Sequence, residues 1–115
     1  MIFDPEPYAE GIRRLNQIEK ERIRLRAVEA RAEAARLAEI LKRQDGEIRE
    51  IILFGPLAAG EPVRLDFDID LALSGGDLYA ALDLVEASPF DVDLVDLQRL
   101  PPHTRDRILQ RGIRL

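Results

Sequence analysis

The chain has 115 residues, of which 46% are hydrophobic and 34% charged, with a formal net charge of −5 and no cysteine. That length suffices for one domain with its own core, and the missing thiol excludes disulfides, thiolate catalysis and Cys-ligated zinc or iron–sulfur sites. Residues 1–46 hold nine acids against ten Lys/Arg and residues 47–115 thirteen acids against seven Arg, so the second half is a poor surface for nucleic-acid phosphates and a better one for cations.

The opening "MIFDPEPYAE" is acidic and carries two prolines, unlike a signal or transit peptide. The longest mostly apolar run, "IILFGPLAAG", is too short to span a bilayer. A cytoplasmic protein with no membrane partner is expected. From Tyr8 to about Gln44 the chain is rich in Ala, Glu, Arg and Leu, all strong helix formers. Ile23, Ala27, Ala30, Ala34, Leu37 and Leu41 draw one apolar stripe at helical spacing. An earlier stripe of Ile12, Leu15 and Ile18 does not run cleanly into it, which implies a bend near residues 19–22 or a helix that changes partners. "QDG" at 44–46 ends the helix, with Gly46 as a left-handed cap.

Beyond the helix the periodicity changes. Ile48–Phe54 reads as a central strand and "PLAAG" as one helical turn. Phe67–Leu73 reads as a second strand, "GGDLYAALDLVEAS" as a helix and "FDVDLVDL" as a third strand. "PPHTRDRILQRG" closes with a helix that has prolines at its start and Gly112 past its end. The order describes an α/β or α+β fold, a small mixed β-sheet flanked by helices, with a long N-terminal helical extension. The extension is assigned to residues 1–26 and the body to residues 27–115.

"LDFDIDLAL" carries the chemistry. Asp66, Asp68 and Asp70 fall at every second position, so an extended chain would send all three carboxylates to one face. Asp91 and Asp93 repeat the arrangement on the third strand. If the two strands are neighbours, several carboxylates converge, and such hard oxygen donors suit Mg²⁺ or Mn²⁺. The bland alternative is an acidic, solvated strand face, and for an isolated Asp-x-Asp it is the better one.

The flanking residues alter that balance. "LFGPLAAGEPVRLDFDIDLAL" resembles the signature of the minimal nucleotidyltransferases in the DNA polymerase beta-like superfamily: a hydrophobic residue, Gly, Gly or Ser, a spacer, then Asp–hydrophobic–Asp–hydrophobic. Here Phe54, Gly55 and Pro56 precede an eleven-residue spacer (Leu57 to Phe67) and Asp68-Ile69-Asp70-Leu71. Gly60 matches a second glycine often found after the short helix. "VDLVDL" resembles the strand of the third carboxylate, which selects Asp93 over Asp91, and "RILQRGIRL" resembles the closing segment. The resemblance spans roughly residues 30–115.

It implies a nucleotidyltransferase fold in which Asp68, Asp70 and Asp93 are both the metal ligands and the catalytic residues. Asp93 would help deprotonate the attacking hydroxyl. The nucleotide-binding residues implied are Gly55, Pro56 and Gly60 at the turn. Arg64, in the loop before the acids, is either a solvated arginine or a further nucleotide ligand. Pro56 departs from the pattern, because proline has neither the hydroxyl nor the N–H of the expected serine. It also suits the first position of a short helix. Weakened triphosphate binding with metal binding retained is the expected consequence.

The resemblance further implies transfer of a nucleoside monophosphate from an NTP, ATP for preference, to a hydroxyl on a HEPN-type toxin, the present chain being the antitoxin. Two rivals stand beside it. One is a binding module that has kept the fold, lost the chemistry and neutralises its partner by contact; the other is a metal-dependent nuclease built on the same acids. The N-terminal helix is expected to self-associate or dock on a partner. His103, Tyr8, Tyr79 and the arginines 99, 105, 107, 111 and 114 are expected to cap, pack or decorate the surface.

Overall fold

A computed structural model describes residues 6–60 and 62–115, with side chains from Ala9 onward. The elements are α1 (Glu6–Gln44), β1 (Glu50–Phe54), α2 (Pro56–Ala59), β2 (Ile69–Ser74), α3 (Leu78–Val85), β3 (Val92–Asp96), a 3-10 turn (Leu97–Arg99), α4 (Pro102–Arg111) and β4 (Ile113–Arg114). The strands form one mixed sheet in the order β3-β2-β1-β4. β1 is antiparallel to both β2 and β4, whereas β2 and β3, joined through α3, are parallel. The expected small mixed sheet with flanking helices is present.

α1 is a single helix of 39 residues, ~58 Å long at 1.5 Å per residue, in a molecule whose longest dimension is 72 Å. It runs without interruption through residues 19–22, so no break separates its two stripes, and it also crosses the boundary placed at residue 26. What changes along it is burial. Ala27, Ala30, Ala34, Leu37 and Leu41 are buried in one core with the sheet, the alanines letting the helix backbone come close, and Ile23 is buried as well. Ile12, Leu15 and Ile18 are exposed, Leu15 at 66%.

Strand alternation divides the sheet into two faces. Ile51, Leu53, Ile69, Leu71 and Leu73 point beneath α1, α2 and α3 and form the main core. Ile52 and Ala72 point the other way, where Leu97 and Ile108 cover them. Asp70 and Asp93 belong to this second face.

Several local expectations need correction. Gly46 is not in the left-handed region. α1 ends instead through Asp45, whose side chain accepts hydrogen bonds from the N–H of Glu47 (3.0 Å) and of Asp77 (2.8 Å), tying the helix end to the start of α3. Each strand begins two residues later than its alternation suggests, since alternation reports an extended chain whereas a ladder needs a partner. β4 was not expected, because two residues are too short to show a period. Arg114 lies in that strand and not on a helix, paired to Glu50 across to β1 at 3.0 Å. Tyr79 does not pack: it is 76% exposed. His103 is exposed as expected, and the side chain of Tyr8 lies outside the described residues.

Candidate active site

The register of β2 and β3 decides where the acids go. Asp70 is the direct partner of Asp93 in a parallel ladder, and Ile69 that of Val92. Directly paired residues share a face, and adjacent strands lie ~4.8 Å apart. Asp68 sits in the extended lead-in to β2, two residues before Asp70, where the Ile69 N–H donates to the Asp91 carbonyl at 2.9 Å. Alternation therefore sends Asp68, Asp70 and Asp93 to one side of the sheet. Asp93 is close enough to Asp68 to raise its pKa by like charge.

The carboxylates repel one another. Burial, then Asp93 and Asp68, push the Asp70 carboxyl up to about 6. Burial, then Asp93 and Asp91, also raise Asp68 above the ordinary carboxylate range. The buried acid of α1, Glu33, behaves in the opposite way. Arg36 donates to both of its oxygens, at 2.6 and 2.8 Å, and the Ser88 hydroxyl donates as well. These bonds, the Arg36 pair foremost, hold Glu33 below the ordinary range. Glu33 is thus a compensated structural acid, whereas Asp68 and Asp70 carry repulsion that no side chain among the described residues relieves.

Asp66, the first acid of "LDFDIDLAL", does not join the others. It is 71% exposed and takes a forked pair of hydrogen bonds from Arg64, at 3.1 and 3.2 Å. Arg64 is therefore engaged by its own loop.

The Gly55 turn borders the acids. Gly55 has φ 77° and ψ −163°, a backbone conformation open in practice only to glycine. A Cβ there would lie 2.4 Å from Oδ2 of Asp70. Glycine is thus required twice, for the turn and for the approach of the carboxylate. Pro56 occupies the first position of α2, and the Ala58 and Ala59 N–H groups donate to the Gly55 carbonyl at 3.1 and 3.0 Å. Gly60 follows α2 at φ 156° with open space around it.

One positioning residue was not visible in the sequence. Arg31 of α1 donates from Nε to the Leu57 carbonyl at 3.2 Å and from Nη2 to the Gly60 carbonyl at 2.6 Å. It thereby satisfies carbonyls at the end of α2 and fixes the turn beside the acids. An arginine on a charged helix gives no hint of a reach across 26 residues.

The donor set fits a hard divalent cation in type, since it is all carboxylate oxygen with unrelieved negative charge. It is not a closed cage: among the described residues no group of three or more His, Cys, Asp or Glu side chains is gathered as a ready-made metal site. Mg²⁺ commonly takes only one or two carboxylates and completes its shell with water and substrate phosphates, so an open carboxylate face suits it when nucleotide is present. The described helices include none long and apolar enough to cross a membrane.

No family model and no curated protein matches the chain by sequence. Solved structures match it in fold. A protein described as a minimal nucleotidyltransferase aligns with TM-score 0.61 and 24% identity, over 77% of this chain and 95% of its own. Two mutant forms of the toxin–antitoxin pair MntA-HpeT each contain a chain that aligns over 70% of this one, with TM-scores of 0.58 and 0.57 and identities of 23% and 26%. The class follows from these alignments and from the sheet order: a small α+β domain with the nucleotidyltransferase fold. More narrowly, the fold is that of the minimal nucleotidyltransferases.

Proposed function

We propose that the protein is a metal-dependent nucleotidyltransferase that moves a nucleoside monophosphate from an NTP, ATP for preference, to a hydroxyl on a partner protein. The observation that supports this reading is the placement of Asp68, Asp70 and Asp93 on one sheet face against the Gly55 turn. In the reaction an acceptor oxygen attacks the α-phosphorus, a new P–O bond forms, the α–β bridging P–O bond breaks and diphosphate departs. Asp93, at the edge of the cluster, takes the proton of the attacking hydroxyl. Asp68 and Asp70 would hold Mg²⁺ or Mn²⁺ with Asp93, and the ion supplies charge neutralisation of the phosphates when bound. The chain's remaining task is to position the reactants, which is most of what phosphoryl transfer asks of a protein.

The partner proposed is a HEPN-type toxin, with this chain as its antitoxin. Similarity to a chain of the MntA-HpeT toxin–antitoxin pair supports a toxin as the partner, and the HEPN class is carried by the family resemblance. The exposed Ile12, Leu15 and Ile18 of α1 offer the docking or self-association stripe. A second reading is favoured by Pro56, which brings no N–H and no hydroxyl to the turn. In that reading the fold is retained for contact and the chemistry is lost.

Incubation with labelled ATP, Mg²⁺ or Mn²⁺ and the product of the neighbouring gene separates the two. Label on the partner that disappears with Asp68→Asn supports transfer. Inhibition of the partner that is indifferent to Asp68→Asn supports the contact module. Pro56→Ser is expected to tighten nucleotide binding; unchanged affinity would remove Pro56 from the account.

A further inference from the structure

α1 meets the body over only part of its length. From Ala9 to Arg22 no described side chain is buried, although a helix in a protein owes most of its stability to the packing of one face. Leu15, Ile18, Leu25 and Val28 are all exposed. The first three fall on a second stripe, distinct from the buried one. Gly11, Leu15, Ile18, Arg22, Leu25, Glu29 and Ala32 follow 4-3-4-3-4-3 spacing, the heptad repeat of a coiled-coil seam. The seam runs for ~33 Å at 1.5 Å per residue. From Leu15 to Ala32 its members are exposed, while Ala27, Ala30 and Ala34 are buried in the body. A second helix can therefore lie along the seam without displacing that contact.

The charges beside the seam fit a second copy of the same helix. Arg14 and Glu21 precede the seam positions Leu15 and Arg22, and Glu19 and Arg26 follow Ile18 and Leu25. In a parallel pair these flanks meet, Arg14 against the partner's Glu19 and Glu21 against the partner's Arg26, each twice by symmetry. Among the described residues Arg14 and Glu19 have no ion-pair partner within the chain. Glu21 is paired with Arg24, and Arg26 with Glu29 and the Phe90 ring; exposed ion pairs of this kind exchange at little cost. Parallel pairing also sets Leu15, Ile18 and Leu25 each on its own counterpart. Antiparallel registers of comparable overlap do worse. One that sets Leu15 on the partner's Leu25 brings Glu19 onto Glu19 and Glu21 onto Glu21; the next sets Leu25 on Arg22 and Ile18 on Glu29. Arg22 and Glu29 are polar seam positions, which fix register at a cost in stability, and the partner's Glu21 lies beside Arg22.

We propose that a second copy of this chain covers the seam, forming a parallel two-stranded coiled coil over residues 11–32 of α1. The dimer buries the apolar side chains that the body leaves exposed, and each body stays on its own alanine-lined contact. The transferase reading of the acids plays no part in this, and a failure of pairing leaves that reading intact.

The test is sedimentation of the full chain alone, at a low and a high concentration, with circular dichroism to check that each variant folds. The wild type is expected to dimerise. Leu15→Ser/Leu25→Ser is expected to weaken association by at least about tenfold, since two leucines per copy lose their cover. Arg14→Glu is expected to weaken it as well, and Arg14→Glu/Glu19→Arg to restore it. Positions 14 and 19 are not neighbours on one helix, so that rescue acts between copies. The chain has no cysteine, so Leu15→Cys supplies the only thiol and is expected to give a disulfide-linked dimer on oxidation. A wild type that is monomeric at both concentrations overturns the proposal, and so does association indifferent to the serine pair. A dimer in which Leu15→Cys does not cross-link overturns the parallel arrangement. A monomer that needs Leu15 and Leu25 to bind a toxin assigns the seam to the toxin, and overturns the second copy as its occupant.

Discussion

The two faces of the sheet are made by the same strands and serve opposite ends. Beneath α1, α2 and α3, every inward position of β2 is apolar and buried: Ile69, Leu71 and Leu73. On the other face β2 presents Asp70, Ala72 and Ser74, and the cover from Leu97 and Ile108 reaches only part of it. One face concentrates stability. The other leaves repulsion uncompensated beside a glycine turn, and that is where chemistry is proposed. Neighbouring residues of a single strand should therefore respond to substitution with opposite signs.

The largest effect is expected on the sealed face. Leu71→Ala deletes a fully buried side chain and should cost about 3 kcal/mol in chemical denaturation, within the usual span for buried leucine. A loss below about 1 kcal/mol would mean that α1 does not seal this face. Next comes the boundary between the faces. Gly55→Ala demands both a glycine-only backbone conformation and the space of the Asp70 carboxylate; ~2 kcal/mol of destabilisation is expected, with a displaced Asp70 in a crystal structure of the variant.

Asp70→Asn tests the open face and should act in reverse. Folded, Asp70 keeps its proton to about pH 6, whereas the unfolded chain releases it near ~3.9. Between those values the folded state binds more protons, so this group's contribution to stability falls as pH rises. Asn removes that penalty. In metal-free buffer the variant should melt higher than the wild type above pH 6, by under about 1 kcal/mol once solvent screening is allowed for. The two proteins should converge below about pH 4. A variant that melts lower throughout would show that Asp70 is structural. The smallest effect lies outside both faces: Leu15→Ser on exposed α1 should move stability by less than ~0.5 kcal/mol. Any large change would have to come from association, which sedimentation at two concentrations would reveal.

Much of this was legible from short-range pattern. The stripe from Ile23 to Leu41 marks the packed part of α1, since helical period and burial coincide there. The Asp-x-Asp spacing placed Asp68 and Asp70 on one face, and the family resemblance chose Asp93. Local pattern misplaced Asp66, because it cannot tell a paired strand from an extended loop in which Arg64 reaches back. It also missed Arg31, whose partners are carbonyls, and carbonyls have no residue identity to read. Arg107 and Arg111 decorate the exposed surface of α4, as their place in a charged helical stretch suggested.

What the amino-acid order determined by itself was the sequence of helices and strands, the buried stripe and the alternation of acids, all set by backbone geometry within a few residues. Tertiary structure alone decided that Asp70 stands opposite Asp93 and that Gly55 must yield its Cβ to Asp70. Those facts depend on register and on packing between segments distant in the chain, and no local period encodes either.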